Sequence, residues 1–431
     1  MDNPFAGPVG KRVVLVVLLL ATVAIITQAS EMWFANYLAD SGKPSRIERA
    51  AALFPGDADF WDRLGRYYFL NFADPNIPLA IASYQKAVSV DPLSEHYWMD
   101  LANAYESVGN TAGAQEAFEH ARAVYPTSAE VAWNYGNFLL RENNPAGYGE
   151  VQRAIRGDPS LLPLALSRMW RSSGDVDQLL KEVIPGNTQS YLAALDFFAS
   201  IQDAAPGMVV WQKLMKQREP FSLRRTFPFL EELIREDDSP DASRVWSGAV
   251  DATNNRSLRP VGANLVSDGD FQGGFANGGL GWRWDSTPST AIDFDSGPPG
   301  VTGRSVRLEF GGGANVRLQH PSQFIAIEPN KTYRFRAQIR TEDISTDSGV
   351  RFNLADPHHP DVPAVTTANL IGSHPWESVE ADFVAGPQTH FVLFGLRRDP
   401  SQFFENRLSG TAWIANISLV EAPSSAGHPT R

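Results

Sequence analysis

The sequence predicts a multidomain chain that runs α then β: an N-terminal transmembrane helix, an α-solenoid of paired helices, and a C-terminal antiparallel β-sandwich. Three observations carry this. Residues 13–30 hold no charge, and residues 13–27 are nearly all Val, Leu, Ile and Ala. Between residues 47 and 159, aromatic, small and proline residues recur at a near-constant interval. From residue 264 onward, helical spacing gives way to apolar–polar alternation between glycine-rich turns.

Composition narrows the function classes. The chain is 43% hydrophobic and 20% charged, ordinary for a folded protein, and its 431 residues allow about two to four domains. A formal net charge of -12 argues against nucleic acid as a partner, because phosphate-backbone binders carry a basic excess. There are no cysteines, which removes disulfides, thiolate metal sites and cysteine nucleophiles together.

The apolar run is preceded by Lys11 and Arg12 and followed by Trp33, Phe34 and Tyr37. A membrane-crossing helix needs about 20 residues, so this segment is short but sufficient. Aromatic rings favour the membrane–water interface, and flanking basic residues stay on the cytoplasmic side. The expected protein is therefore single-pass, with a cytoplasmic N-terminus and the bulk of the chain periplasmic or otherwise extracytoplasmic. The rival is a cleaved secretory signal. Thr27-Gln28-Ala29 is a poor small-residue cleavage site, and the aromatic belt has no use in a discarded peptide. Both favour the anchor.

The repeats are built on two near-complete units. Trp61, Leu64, Gly65 and Tyr68 lead to Ala80, Tyr84, Ala87 and Pro92. Trp98, Leu101, Ala102 and Tyr105 lead to Ala114, Phe118, Ala121 and Pro126. A partial unit follows: Tyr135, Gly136, Leu139, Val151, Ala154 and Pro159. A half unit, Ile47, Ala50 and Pro55, precedes them. The prolines step by 37, 34 and 33 residues, with a short insertion at Phe72-Ala73-Asp74-Pro75 in the first interval. Each unit reads as two antiparallel helices. Small residues permit close approach, large rings fill the gaps, and proline, lacking an amide donor, closes the second helix. One pair cannot bury its apolar face alone, so units stack. After Pro159 three further helix pairs are expected, at 163–172 with 176–184, 189–201 with 208–216, and 223–235 with 242–250. They keep helical periodicity without the repeated residues.

This pattern resembles the tetratricopeptide repeat family. The resemblance implies that the first helix of each unit lines a concave groove for a partner's peptide. Carried over by alignment, the groove-facing candidates are Asp62, Arg66, His96, Met99, Asn103, Glu106, Trp133, Asn137 and Arg141. The alternative for each is a solvated helix face. Trp133 fits that least, since an exposed tryptophan usually marks an interface.

In the C-terminal region, Val306, Leu308 and Phe310 alternate with Arg307 and Glu309. Tyr333, Phe335, Ala337 and Ile339 alternate with Arg334, Arg336, Gln338 and Arg340. Such alternation signals half-buried strands. Further strands are expected at 281–284, 323–327, 350–354, 377–384, 390–396 and 411–420. Many strands with no helical pattern imply an antiparallel sandwich. Asn264-Leu265-Val266, Gly269-Asp270-Phe271, Gly281-Trp282, Pro375-Trp376-Glu377 and the closing 410–419 segment together resemble carbohydrate-binding jelly-roll modules. That resemblance implies a polysaccharide ligand. It also implies a structural calcium held by carboxylates near both ends of the domain. Gln272 and Ala415 stand where acids are usual, so no cofactor is expected and calcium is doubtful. Glycan-binding candidates are Trp284 with the outward arginines Arg307, Arg317, Arg334, Arg336 and Arg340, since guanidinium forks suit acidic sugars. Arg351 belongs to the same outward set. The bland alternative is a solvated sheet face whose arginines pair with neighbouring acids.

The sequence thus divides into a cytoplasmic tip and anchor (1–30), tetratricopeptide-type repeats (31–159), degenerate repeats or a capping bundle (160–252), a linker (253–262), a carbohydrate-binding-like sandwich (263–422) and a disordered tail (423–431). No nucleophile-elbow, phosphate-loop or dinucleotide motif is present. Asp356-Pro357-His358-His359-Pro360-Asp361 is the one metal-like cluster, and with no second cluster to complete a site it reads as a stiff polar loop. The expectation is a non-catalytic, membrane-anchored envelope scaffold. Its repeats would hold a protein and its sandwich a polysaccharide, as in surface-polysaccharide assembly or export. The alternative keeps the folds but gives the sandwich a structural or protein-binding role. A hydrolase would require two carboxylates facing one cleft.

Overall fold

The computed structural model describes residues 8–71 and 74–423. The expected cytoplasmic tip before residue 8, Phe72 and Ala73 of the insertion, and the tail from residue 424 lie outside the described residues. The chain forms two compact units, Met1–Leu161 and Leu162–Arg431.

Among the described residues the first unit is built of helices without strands. Its helices are α1 (Pro8–Ala39), α2 (Pro44–Leu53), α3 (Ala58–Leu70), α4 (Ile77–Val90), α5 (Glu95–Ser107), α6 (Thr111–Val124), α7 (Ala129–Arg141) and α8 (Ala146–Gly157). They pair as successive hairpins. Helix starts are set by side chains that take up free amides: Asp57 caps α3, Asn76 caps α4, Asn110 caps α6 and Ser128 caps α7. Where α7 crosses α8, Gly136 and Gly147 face each other. A Cβ on Gly147 would lie 2.7 Å from the Gly136 carbonyl oxygen, so no larger residue fits without movement.

Helix α1 has two parts along one continuous rod. Its apolar part is fully exposed and is long and apolar enough to cross a membrane. Its last turns bury Ala35, Leu38 and Ala39 against Ala50, Ala51 and Phe60 of α2 and α3. The helix runs unbroken through residue 30, and its end closes the first hairpin.

The repeat tryptophans differ from expectation. Trp61 and Trp98 are half-buried and do not fill the core. Each donates its indole N–H to the carbonyl of the proline six residues earlier, Pro55 at 3.1 Å and Pro92 at 2.9 Å. The core is made instead by Tyr84, Leu101, Phe118, Tyr135 and Phe138 with interleaved alanines.

The second unit begins with helices α9 (Leu162–Ser173), α10 (Val176–Glu182), α11 (Thr188–Ser200), α12 (Ala204–Gln217), α13 (Phe227–Arg235) and α14 (Ser239–Ala252). Its strands are β1 (Thr290–Ser296), β2 (Arg304–Gly311), β3 (Ser322–Ala326), β4 (Thr332–Ile344), β5 (Arg351–Ala355), β6 (Val365–Thr366), β7 (Gly372–Val384), β8 (Phe391–Arg397) and β9 (Ser409–Glu421). They form two antiparallel sheets, ordered β1-β2-β9-β4-β7 and β3-β8-β5-β6. The sheets share one core, in which Phe335 of β4 meets Phe394 of β8 at 4.9 Å and Phe352 of β5 at 5.1 Å. Trp282 lies wholly inside it and donates to the Asp268 carbonyl. The strand expected at 281–284 reduces to one bridge, Arg283 with Ser322. β1 was not expected. Its half-buried Ile292 and Phe294 alternate with the exposed Asp293 and Asp295 along the sheet edge.

Helices α13 and α14 pack directly on the strand region. Trp246 donates to the Ser267 hydroxyl at 3.2 Å. Gly278 and Gly279 leave room for Phe227, Leu230 and Trp246. Glu231 accepts from the Gly279 amide and from Arg283 at 2.9 and 2.8 Å. The stretch 253–262, expected as a polar linker, contains a 3-10 turn whose Leu258 is buried against Gly273.

Candidate functional site

Helices α3, α5 and α7 are the first members of successive hairpins, and their side chains meet across one face. Arg66 of α3 places Nε 2.9 Å from Asp62 and 2.8 Å from Asp100 of α5. Arg141 of α7 binds Glu106 of α5 in a two-pronged bond of 2.6 and 2.8 Å. Arg63 holds Asp59 and Asp40, both at 2.6 Å. Neighbouring hairpins are therefore linked by guanidinium–carboxylate bonds, of which Arg141–Glu106 has the two-pronged geometry in which arginine is strongest.

The nine groove candidates separate into three groups. Asp62, Met99 and Asn137 are buried. Met99 packs with Ala121, Val131 and Trp98 and is a core residue, a correction to its expected place on the groove surface. Arg66, Glu106 and Arg141 are engaged in the bonds between hairpins. His96 is exposed, and Asn103 and Trp133 are half-exposed. Asp100 and Tyr97 escaped the alignment, yet both belong to this face. The signal was present: Arg66 and Asp100 stand 34 residues apart and Glu106 and Arg141 stand 35 apart, opposite charges about one repeat away.

Asp62 is electrostatically unusual. Burial, and next the Asp100 carboxylate, push its carboxyl up to about 7 against the pull of Arg66. One of its oxygens contacts Arg66, and a side-chain hydrogen bond with Asp100 also raises its carboxyl.

The outer face of the five-stranded sheet carries four of the glycan candidates. Each has an acid beside it: Arg307 with Asp293 at 3.5 Å, Arg334 with Asp382 at 2.8 Å, Arg336 with Glu380 at 2.9 Å, and Arg340 with Glu342 at 2.8 Å. Arg340 also covers the Trp413 ring at 4.4 Å, and with Trp376 it lines an open cavity of about 590 Å³. Arg317 lies exposed in the connection between β2 and β3, outside this row of strand residues. Trp284 is half-buried beside Phe275 and packs on the core. Trp413, central on the face between Arg307 and Arg340 in the strand register, was overlooked as a platform.

The histidine loop is a polar turn tied to its surroundings. His359 contacts Asp356 at 3.1 Å. His358 and, from the residue before β8, His390 both contact Asp237 of the α13–α14 turn, at 3.1 and 2.8 Å. Among the described residues no group of three or more His, Asp or Glu side chains is arranged to hold a metal ion. Of the two positions where an acid is usual for calcium, Gln272 is exposed and Ala415 is buried. Nearby Asp268 accepts the Gly273 amide, and burial pushes its carboxyl up to about 7.

No family model matches this chain, and no curated protein matches it. Among solved structures it is similar to YrrB, a TPR protein with an unusual peptide-binding site, at 13% identity and a TM-score of 0.26, over 49% of this chain and 95% of that one. It is also similar to PilF of Pseudomonas aeruginosa, at 13% identity and 0.28, over 54% and 97%. A third similar structure is the MamA protein, at 14% identity and 0.23, over 48% and 96%. At these scores the likenesses carry no function across. What stands on this chain's own geometry is a series of stacked helical hairpins followed by two antiparallel sheets.

Proposed function

We propose that this protein is a membrane-tethered, non-catalytic scaffold whose helical repeats of tetratricopeptide type hold a segment of a partner protein on the face of α3, α5 and α7. The observation that carries this reading is the arrangement of that face. Ion pairs from one hairpin to the next hold three adjacent helices in register, and His96, Asn103 and Trp133 remain open or partly open between them. A rigid row of polar groups with an aromatic anchor suits an extended peptide. The unbroken α1 supports retention of the anchor, because the helix that would cross the membrane also completes the first hairpin. With Lys11 and Arg12 ahead of it, the folded units lie on the extracytoplasmic side.

The test is selection of a randomised peptide display library on the full chain in detergent. Peptides should be enriched, and Trp133→Ala or Asn103→Arg should weaken them about tenfold or more, as for interface anchors. Peptides that bind both variants as well as the parent would sink the proposal.

For the sheet region, a structural or protein-binding role fits the paired arginines. A second reading, a polysaccharide on a jelly-roll sandwich, is supported by Arg340 and Trp376 at one cavity, with the Trp413 ring beneath Arg340. Titration of the full chain with acidic and neutral polysaccharides separates the two. Heat with an acidic polymer that fades with salt supports the glycan. No heat with either polymer favours the structural role.

A further inference from the structure

Helix α1 leaves its uncharged run at residue 30 and continues unbroken to Ala39. Residues 13–30 rise about 27 Å, close to the hydrocarbon thickness of about 30 Å. Headgroups add about 5–7 Å on each side, so whatever lies level with the next few residues of α1 falls in that layer. Helix α2 runs back along α1, and its end returns to this level. Met32, two residues past the run, lines one cavity with Leu53, Phe54, Pro55 and Gly56. Met32 and Phe54 also pack on the same small core of Ala35, Ala50 and Phe60. The surface here is apolar. Trp33 is 69% exposed, Tyr37 57% and Leu53 47%, and the Trp33 and Tyr37 rings stack at 5.9 Å. Single exposed apolar residues are ordinary. These gather in one layer, directly above a span that is itself exposed and apolar. Side chains on a helix lean toward its N-terminus, so Trp33 and Tyr37 lean toward the span. Charge in the layer is mixed, Glu31 and Asp57 against Arg49 one turn above Leu53, and calls for no particular headgroup.

We infer that this end of the first hairpin is a lipid-contacting surface: Leu53, Phe54 and the turn from α2 to α3 are seated in the headgroup layer beside Trp33, and the repeats stand on the bilayer without a stalk. This rests on the tether reading and deepens it, because it adds a lipid contact outside the span. Continuity argues for lipid as the occupant. One helix passes from span to hairpin with no linker between them, so its rise fixes the depth of the turn that packs beside Met32. Surface-lying elements seat their apolar side about 5–10 Å into the headgroup–acyl boundary, and Trp33 and Leu53 are placed to do so.

The chain has no cysteines, so single cysteines carry nitroxide labels without background. Leu53→Cys and Gly56→Cys probe the seat. Leu53 is exposed, and a Cβ on Gly56 meets nothing within 4 Å, so both labels fit; a melting curve of each variant verifies folding. Leu19→Cys marks the span, and Val108→Cys marks the opposite end of α5, where Val108 is exposed. The full chain is reconstituted into phosphatidylcholine vesicles, and collision of each label with oxygen and with a water-soluble nickel chelate gives its depth. Labels at 53 and 56 should read within the headgroup layer, about 5–7 Å thick. The label at 19 should read deeper, and the label at 108 should read as free in water, about 20 Å further out. Labels at 53 and 56 as open to nickel as the one at 108, over a shielded label at 19, would overturn this seat and leave the tether standing. A label at 19 open to nickel would overturn both.

Discussion

Two polar faces of this molecule look alike in composition and behave differently. On the outer face of the β1-β2-β9-β4-β7 sheet, four strand arginines each find a carboxylate of their own on the same or an adjacent strand. These pairs are exposed, and such pairs contribute little. On the α3–α5–α7 face, two aspartates share Arg66, one of them is buried, and its carboxyl is pushed up to about 7. On the sheet face each arginine has its own exposed carboxylate, whereas on the helix face two carboxylates, one of them buried, share a single guanidinium. Exposed pairs are screened by water, whereas the buried Asp62 is relieved by holding its proton beside Asp100.

The largest expected effect tests that contrast directly. Arg66→Ala removes the one cation serving Asp62 and Asp100 and should cost about 1–3 kcal/mol at pH 8, the usual loss when a buried acceptor is orphaned. Denaturant unfolding, with hydrogen exchange read in α3 to α8, measures it. A loss no greater than that of Arg336→Ala would erase the distinction between the faces.

Next comes Asp62→Asn, which should stabilise the helical unit by about 1 kcal/mol at pH 8 by removing a charge from a buried site. The folded carboxyl titrates above its ordinary value of 3.8, so its ionisation penalty is absent below that value, grows as pH rises, and is complete above about 7. The gain should therefore be near zero at the acid end and full at pH 8. The groups facing Asp62 are Asp59 and Arg66 on α3, Tyr84 on α4, and Asp100 and Tyr97 on α5. A gain independent of pH would mean that something other than this carboxyl is responsible.

The smallest effect belongs to the sheet. Arg336→Ala should stay within about 0.5 kcal/mol at any pH, as exposed pairs do. A loss above about 1 kcal/mol would show that these pairs organise the sheet after all.

Much of the fold was legible because it rests on short periods. The prolines at 55, 92, 126 and 159 close helices just where the hairpins turn. The alternation from Tyr333 to Arg340 gives β4 its buried and exposed faces. β1 was missed although Ile292 and Phe294 alternate with Asp293 and Asp295, because that alternation spans only four residues. The groove was legible by position and misjudged by depth. Met99 stands at the aligned place, but Val131 and Ala121 cover it, and coverage depends on neighbours far along the chain.

The sequence by itself determined the local elements: an apolar helix able to cross a membrane, helical hairpins spaced by prolines, and strands with one buried face. These follow from periods of 3.6 and 2 acting within a few residues. Only the tertiary structure decided which charges meet. It joined Arg66 to Asp100, and it gave Asp237 two histidines, one of them, His390, 153 residues later in the chain. It also seated Trp246 over Gly279, so that the last helices pack on the sheets. The reason is physical: a charge or a ring takes whatever partner lies within a few ångströms, and across such separations that neighbour is set by how whole elements pack.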